Sequence, residues 1–174
     1  MKLAIARQRY NPFGGAERFV EGALDALGQT GEVDVTLLTR AWDEAASTTA
    51  NRHVQIVNPS YRTLPFGRVN RDRSFASAVA QIIRENRFDL VQAHERIPGC
   101  HIFRAGDGIH AAWLRHRQAD QPALSNWWQK LDPYHAYTVE AERAMFAHSN
   151  LRAVICNSRM VANEIRAEYG VAPE

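Results

Sequence analysis

Between Leu3 and Leu38 the chain passes from one short apolar run to another across a single amphipathic helix, and this spacing constrains the fold of the 174 residues most strongly. Leu3 to Arg7 reads as a buried strand that runs into the loop Arg7-Gln8-Arg9-Tyr10-Asn11-Pro12-Phe13-Gly14-Gly15. A helix is expected from Gly15 or Ala16, because Phe19, Val20, Ala23, Leu24 and Leu27 recur at helical spacing and Gly28 and Gly31 punctuate its end. Val33-Asp34-Val35-Thr36-Leu37-Leu38 is β-rich and makes a second strand. A crossover of this length joins parallel strands, and its hand is right-handed.

The same alternation continues. Val54 to Val57 predicts a third strand, Ser74 to Asn86 a helix, Asp89 to Ala93 a fourth strand, His101 to Arg104 a fifth and Leu151 to Cys156 a sixth. A last helix is expected from about Ser158 to Tyr169, with Ser158 as its N-cap. Ile109 to Ser149 is helical in pattern with a break at Asp132-Pro133, and holds Trp113, Trp127 and Trp128. The fold class is therefore α/β: a Rossmann-like, open, mostly parallel sheet with helices on both faces. Ligands of such sheets bind beyond the carboxyl ends of the strands. That rule selects Pro12–Glu17, His94–Arg96, Arg104–His110 and Asn157–Arg159.

Composition narrows the class. The apolar content of 45% suits one domain with a real core. No apolar run reaches the length of a membrane span, and the start Met1 to Ala6 is too short and too soon followed by Arg7 to be a secretion signal. A cytoplasmic location is expected. Cys100 and Cys156 lack a CxxC neighbour, so they read as packed, reduced thiols. Of the 21 basic residues only Lys2 and Lys130 are lysines. Arg62, Arg68, Arg71 and Arg73, against Asp72 alone, form a locally basic stretch that reads as a solvated face rather than an anion-binding edge. No basic stripe with stacking aromatics appears, so a nucleic-acid partner is not expected.

Three segments on the selected rim can carry chemistry. Gly14-Gly15 lets the backbone approach a ligand and exposes free helix amides, which favour a phosphate or sugar oxygen; a tight turn with no ligand is an equal reading. It is not GxGxxG, and Thr39-Arg40 stands where a ribose-binding acid would close the second strand, which counts against a nicotinamide-dependent oxidoreductase. Asp107, flanked by Gly106 and Gly108, can accept a proton from an acceptor hydroxyl or cap the next helix, and sequence alone favours the cap. Arg104 and His110 can hold an anionic acceptor or orient Asp107. His94, just past the fourth strand, can hydrogen-bond a sugar or phosphate, or be a satisfied strand-end histidine. Trp127-Trp128 reads as core plus a half-exposed ring, or as a membrane-facing patch. The other histidines show no ligand spacing, so no metal is assigned.

Taken in order, these segments resemble a known family. Arg9 to Glu17 resembles the Gly-Gly loop that opens family 4 glycosyltransferases of the GT-B fold. Arg104 to His110 with Trp113-Leu114 resembles a segment of their lipopolysaccharide-core branch, and Val154 to Val161 resembles the strand-to-helix segment near the end of the first domain. The resemblance implies two Rossmann-like domains facing a cleft, the first mainly for the acceptor and the second for the nucleotide sugar. It also implies transfer with retention and no metal or other cofactor. Gly14 and Gly15 would approach the donor, Asp107 would act at the acceptor hydroxyl, and Glu17, His94, Arg104 and His110 are the candidate acceptor contacts. Residues 1–174 would form the acceptor-side domain, with the donor-binding domain absent and little or no activity alone. The partners implied are a nucleotide-sugar donor, a glycan or glycolipid acceptor, the second domain and a peripheral contact with the inner membrane face. The competing expectation is a free-standing α/β module that binds a phosphorylated sugar or nucleotide without chemistry.

Overall fold

Alternation along each strand decides what covers each face of the sheet. In β1 (Lys2–Ala6), Leu3 and Ile5 point to one side and pack with Val20 of α1 (Gly15–Thr30) and with Val35 and Leu37 of β2 (Asp34–Leu38). Ala4 and Ala6 point to the other side. There they meet Phe75 and Val79 of α2 (Gly67–Glu85), Met145 of α4 (Pro133–Phe146), and Val161 and Ile165 of α5 (Arg159–Tyr169). The same side carries Ala93 at the end of β4 (Leu90–Ala93), Ala105 at the end of β5 (Ile102–Ala105), and Ala112 of α3 (His110–Asp120). Ala4, Ala6, Ala93 and Ala105 let the helices sit close, while the bulk comes from the helices together with Leu38, Val91 and Phe103 of the strands. Full burial of a side chain such as Ile5, Leu37 or Phe75 contributes about 1.5–3 kcal/mol each.

The computed structural model describes residues 1–9, 15–40, 54–57, 67–106, 108–120 and 132–171. With β3 (Val54–Val57) and β6 (Ala153–Cys156), the six strands form one sheet in the order β3-β2-β1-β4-β5-β6. Every described pairing is parallel. The α/β reading is therefore correct, with α1 on one face and α2 to α5 on the other. The order reverses direction between β1 and β4. That position is the topological switch point, where a crevice opens at the carboxyl ends of the strands.

Local chemistry explains most boundaries. Asp132 is the N-cap of α4, its carboxylate accepting from the Tyr134 amide at 2.8 Å, with Pro133 in the first turn. Ser158 caps α5 as expected, accepting from the Val161 amide at 3.3 Å, and Gly170 closes that helix with φ of 66°. Most boundaries fall within one residue of the sequence reading, and the starts of α2 and β6 differ by more. Helix α2 starts at Gly67, not Ser74, because its first turns lack apolar periodicity and are held by tertiary contacts. Arg68 lies 4.3 Å from the centre of the Tyr134 ring and pairs with Asp132, Arg71 pairs with Asp72, and Arg73 lies over Tyr137. Arg68 and Arg73 are exposed, as the solvated-face reading expects, while they also lie over rings of α4, and Arg71 pairs within α2; Arg62 falls outside the described residues. Strand β6 starts at Ala153, not Leu151, since the Leu151 amide closes a turn onto the His148 carbonyl.

Candidate functional site

Because the sheet is parallel throughout the described pairings, the loops after β1, β4, β5 and β6 all leave from one edge. Arg7 and Gln8 follow β1, His94 and Glu95 follow β4, Gly106 follows β5 and Asn157 follows β6. The His94 amide donates to the Ala6 carbonyl at 3.0 Å, so the turn after β4 is seated against the end of β1. The Asn157 amide group donates to the Gly106 carbonyl and ties the β6 loop to the β5 loop.

The histidine at the switch point is built to stay neutral. Burial, followed by the charges of Arg7 and Arg104, lowers the His94 pKa to about 3. Its Nε2 lies 3.0 Å from Gln92 Nε2. Such a ring can exchange a hydrogen bond with a hydroxyl but is a poor proton acceptor. Beside it, Glu95 Oε1 accepts from the Gln8 amide at 2.8 Å and from Arg7 Nη1 at 3.4 Å. Burial raises the Glu95 pKa to about 7, against the opposing pull of the Gln8 amide and of Arg7. Its second oxygen, Oε2, is buried and has no hydrogen-bond partner among the described residues.

Arg104 stands on β5 next to this rim. Its Nη1 lies 3.1 Å from where a Cβ on Gly106 would be, so the absence of a side chain at Gly106 admits the guanidinium. Gly108 has φ of 75°, and a Cβ there would come within 3.3 Å of Glu164 Oε2; both facts favour glycine. His110 opens α3 but turns towards α4. Its Nε2 lies 2.8 Å from His135 Nδ1 and its ring stacks on Trp113 at 5.2 Å. Burial first, then Arg96, lowers its pKa to about 4, so the ring supplies no positive charge at neutral pH.

Of the residues selected from sequence, His94 and Arg104 come together at the rim, and His110 belongs to a neighbouring cluster with His135 and Trp113. Gly15 is the first residue of α1 and Glu17 lies in its first turn. Gly14 and Asp107 lie outside the described residues, as do Trp127 and Trp128. The segments that flank Gly14 and Asp107 leave the same edge of the sheet. Among the described residues there is no cluster of ligands that could hold a metal ion.

Sequence reading passed over Arg7, Asp72 and Glu142. Glu142 is buried in α4 and takes Arg96 Nε at 2.7 Å, the His110 amide at 2.7 Å, the Ala111 amide at 3.3 Å and the Tyr169 hydroxyl at 3.3 Å. It thereby occupies two of the first amides of α3, the place that sequence gave to a local cap. A signal for it was present: Thr138, Ala141 and Met145 mark the inward stripe of α4, and position 142 falls on that stripe.

Comparison with known proteins follows this geometry. The model of the family described as Glycosyltransferase Family 4 matches residues 13–174. Among solved structures, the chain is similar to WaaG, a glycosyltransferase involved in lipopolysaccharide biosynthesis. The TM-score is 0.77 at 17% identity, over 98% of this chain and 42% of that one. It is also similar to the sucrose-phosphate synthase of Thermosynechococcus elongatus, with a TM-score of 0.61 at 14% identity, over 97% of this chain and 45% of that one. The chain thus spans less than half the length of either protein. No curated protein matches it in sequence.

Proposed function

The chain belongs to glycosyltransferase family 4, and we propose that it is the acceptor-side wall of a retaining enzyme that moves a sugar from a nucleotide-sugar donor to a surface glycan, such as a lipopolysaccharide core. The observation that carries this reading is the strand order β3-β2-β1-β4-β5-β6, which sends the glycine loop after β1 and the loop after β5 out of one sheet edge on either side of β4. The fold likeness to WaaG, a glycosyltransferase involved in lipopolysaccharide biosynthesis, supports the choice of acceptor class.

In this reading the amides around Gly14 and Gly15 meet the donor's phosphate and sugar oxygens. Asp107 takes the proton of the acceptor hydroxyl as that oxygen bonds to the anomeric carbon, on the same face from which the nucleoside diphosphate leaves. The bond from that carbon to the diphosphate oxygen breaks, and the configuration is retained. Because His94 is held neutral, it serves as a hydrogen-bond partner of the acceptor and leaves the proton to a carboxylate, while His110, also neutral and bonded to His135, borders the acceptor from its neighbouring cluster. Arg104 and Glu17 complete the acceptor contacts, and no metal or other cofactor is invoked. The donor's nucleotide is held by a second α/β domain outside residues 1–174. No described helix is long and apolar enough to cross a membrane. The enzyme works in the cytoplasm and meets a lipid-linked acceptor peripherally at the membrane face.

The test is a turnover assay with a panel of nucleotide sugars, run on the 174 residues alone and on the same residues followed by a second α/β domain. Transfer is expected only from the longer protein, and Asp107→Asn in it is expected to lower kcat by about a hundredfold or more. Clear transfer by the 174 residues alone ends the division of labour proposed here. An Asp107→Asn protein with unchanged kcat removes Asp107 from the chemistry. Tight binding of a free nucleotide or phosphosugar by the isolated chain, without transfer by either form, points instead to a binding module.

A further inference from the structure

A cleft between α2 and α4, at the carboxyl ends of β1 and β4, lies beside the rim but has no role in the scheme above. Its volume is about 60 Å³, several times the ~10–15 Å³ that one water needs, yet too little for a whole sugar ring. Gln8 and Glu95 enter it from the sheet edge, Asp72 and Phe75 from α2, and Tyr137 and Ala141 from α4.

The donors in its wall are largely committed. Gln8 Nε2 donates to Asp72 Oδ1 at 3.3 Å, and Arg71 Nε donates to the same oxygen at 2.7 Å. The Gln8 amide and Arg7 both serve Glu95 Oε1. Glu95 Oε2 is left buried without a partner among the described residues. A buried carboxylate oxygen in that condition is an unmet demand for a hydrogen-bond donor. Tyr137 adds a phenol, whose pKa is pushed up to about 12 by burial first and then by Asp72.

Charge selects the occupant. Each carboxylate already faces a guanidinium, Arg7 on Glu95 and Arg71 on Asp72, so the cleft does not call for a cation. Arg96 also lines the cleft, but its guanidinium is engaged by Glu142, so among the described residues no unengaged cation calls for an anion. What remains is a neutral group that brings O–H donors and sets its carbon atoms against Phe75 and Ala141. We propose that this cleft is an acceptor subsite for a neutral, hydroxyl-bearing arm of the acceptor sugar, a hydroxymethyl group or a short polyol chain, with Glu95 Oε2 accepting the hydroxyl hydrogen. The proposal rests on the glycosyltransferase reading for the identity of the acceptor, and its geometry is independent of Asp107 and Gly14.

The test is ligand-observed NMR on the 174-residue chain with the methyl glycosides of glucose, galactose and mannose, each beside its 6-deoxy counterpart. At least one pair is expected to show about tenfold tighter binding of the hydroxymethyl sugar, the effect of one hydrogen bond to a buried carboxylate. Glu95→Gln is expected to bring that ratio close to one. Tyr137→Phe, which touches no ion pair, is expected to lower it two- to threefold and serves if the first variant does not fold. Equal binding of every pair by the wild-type chain, including binding of none at the solubility limit, overturns the subsite. So does a ratio that survives both substitutions. Failure of the larger reading looks different: the two-domain protein then transfers no sugar although the NMR preference stands. If instead it transfers equally well to hydroxymethyl and 6-deoxy acceptors, the enzyme reading survives and the subsite falls.

Discussion

Glu142 on α4 and Glu95 just past β4 each pair with an arginine, yet their carboxylates are treated in opposite ways. Glu142 receives four donors across both oxygens, from Arg96, two amides of α3 and the Tyr169 hydroxyl. Among the described residues, Glu95 receives two donors on one oxygen and none on the other. A carboxylate that is buried and fully met fixes structure, because removing it strands every donor around it. A carboxylate that is half met is a demand left for something else. In the first case the group knits α3, α4 and α5 together behind the rim; in the second it lies at the switch point where the fold places ligands.

The largest effect should come from Glu142. Glu142→Ala leaves Arg96, the first amides of α3 and the Tyr169 hydroxyl without their acceptor. It is expected to destabilise the fold by about 3–5 kcal/mol, with Glu142→Gln milder. Urea unfolding followed by circular dichroism reads both. A loss below about 1 kcal/mol for the alanine variant would mean that Glu142 is no hub, and the contrast with Glu95 would collapse.

Glu95 should respond with the opposite sign. Its pKa in the folded chain, about 7, lies above the ordinary 4.5. As pH rises from 4.5, the unfolded chain therefore gives up this proton first, and the folded state loses stability until the pH passes 7. Glu95→Gln removes that penalty but also the ion pair with Arg7. The variant is expected to gain about 1–2 kcal/mol on wild type between pH 5 and pH 8. His94 and His110 run the other way: their lowered pKa values make the folded chain lose stability as pH falls through 6.5. They are common to both proteins and drop out of the difference. Parallel unfolding curves at pH 5 and pH 8 test this, and a variant that loses ground as pH rises would place Glu95 with Glu142 among the structural groups.

The contrast also explains what could be read in the chain. The sheet was legible because each strand is a short apolar run closed by polar or glycine residues, and the βαβ spacing makes it parallel, while the order of its strands came from the structure. The start of α2 was not, since Gly67 to Arg73 are held by Tyr134, Asp132 and Tyr137, some sixty residues on. At the site, His94 and Arg104 could be found because they sit at strand ends, which are visible locally. Glu142 serves His110 and Arg96 across 32 and 46 residues, and a glutamate in Thr138-Val139-Glu140-Ala141-Glu142-Arg143 looks like one of two equivalent surface charges. Only the stripe of Thr138, Ala141 and Met145 separates it from Glu140. The unmet oxygen of Glu95 has no sequence signature at all, because it depends on which donors in the folded wall are already engaged.

The smallest effect should come from two tyrosines that repeat the contrast between the glutamates. Tyr169 donates its hydroxyl to Glu142 at 3.3 Å, and its ring stacks on Phe146 at 4.3 Å. Tyr137 lines the cleft beside Glu95, its ring under Arg73, and its hydroxyl makes no hydrogen bond among the described residues. Both phenols have raised pKa values, led in each case by burial, so both are neutral hydroxyls at pH 7. Removing the Tyr169 hydroxyl takes one of four donors from a buried carboxylate and should destabilise by about 1 kcal/mol. Removing the Tyr137 hydroxyl takes nothing that the described residues use, so Tyr137→Phe should stay within about 0.5 kcal/mol of wild type. The pair is informative because the chemical change is identical, one oxygen atom from a part-buried phenol on the same side of the sheet. Equal losses in urea would show that the cleft hydroxyl is bound into the fold. A silent Tyr137→Phe would leave ligand recognition as the remaining use for that oxygen.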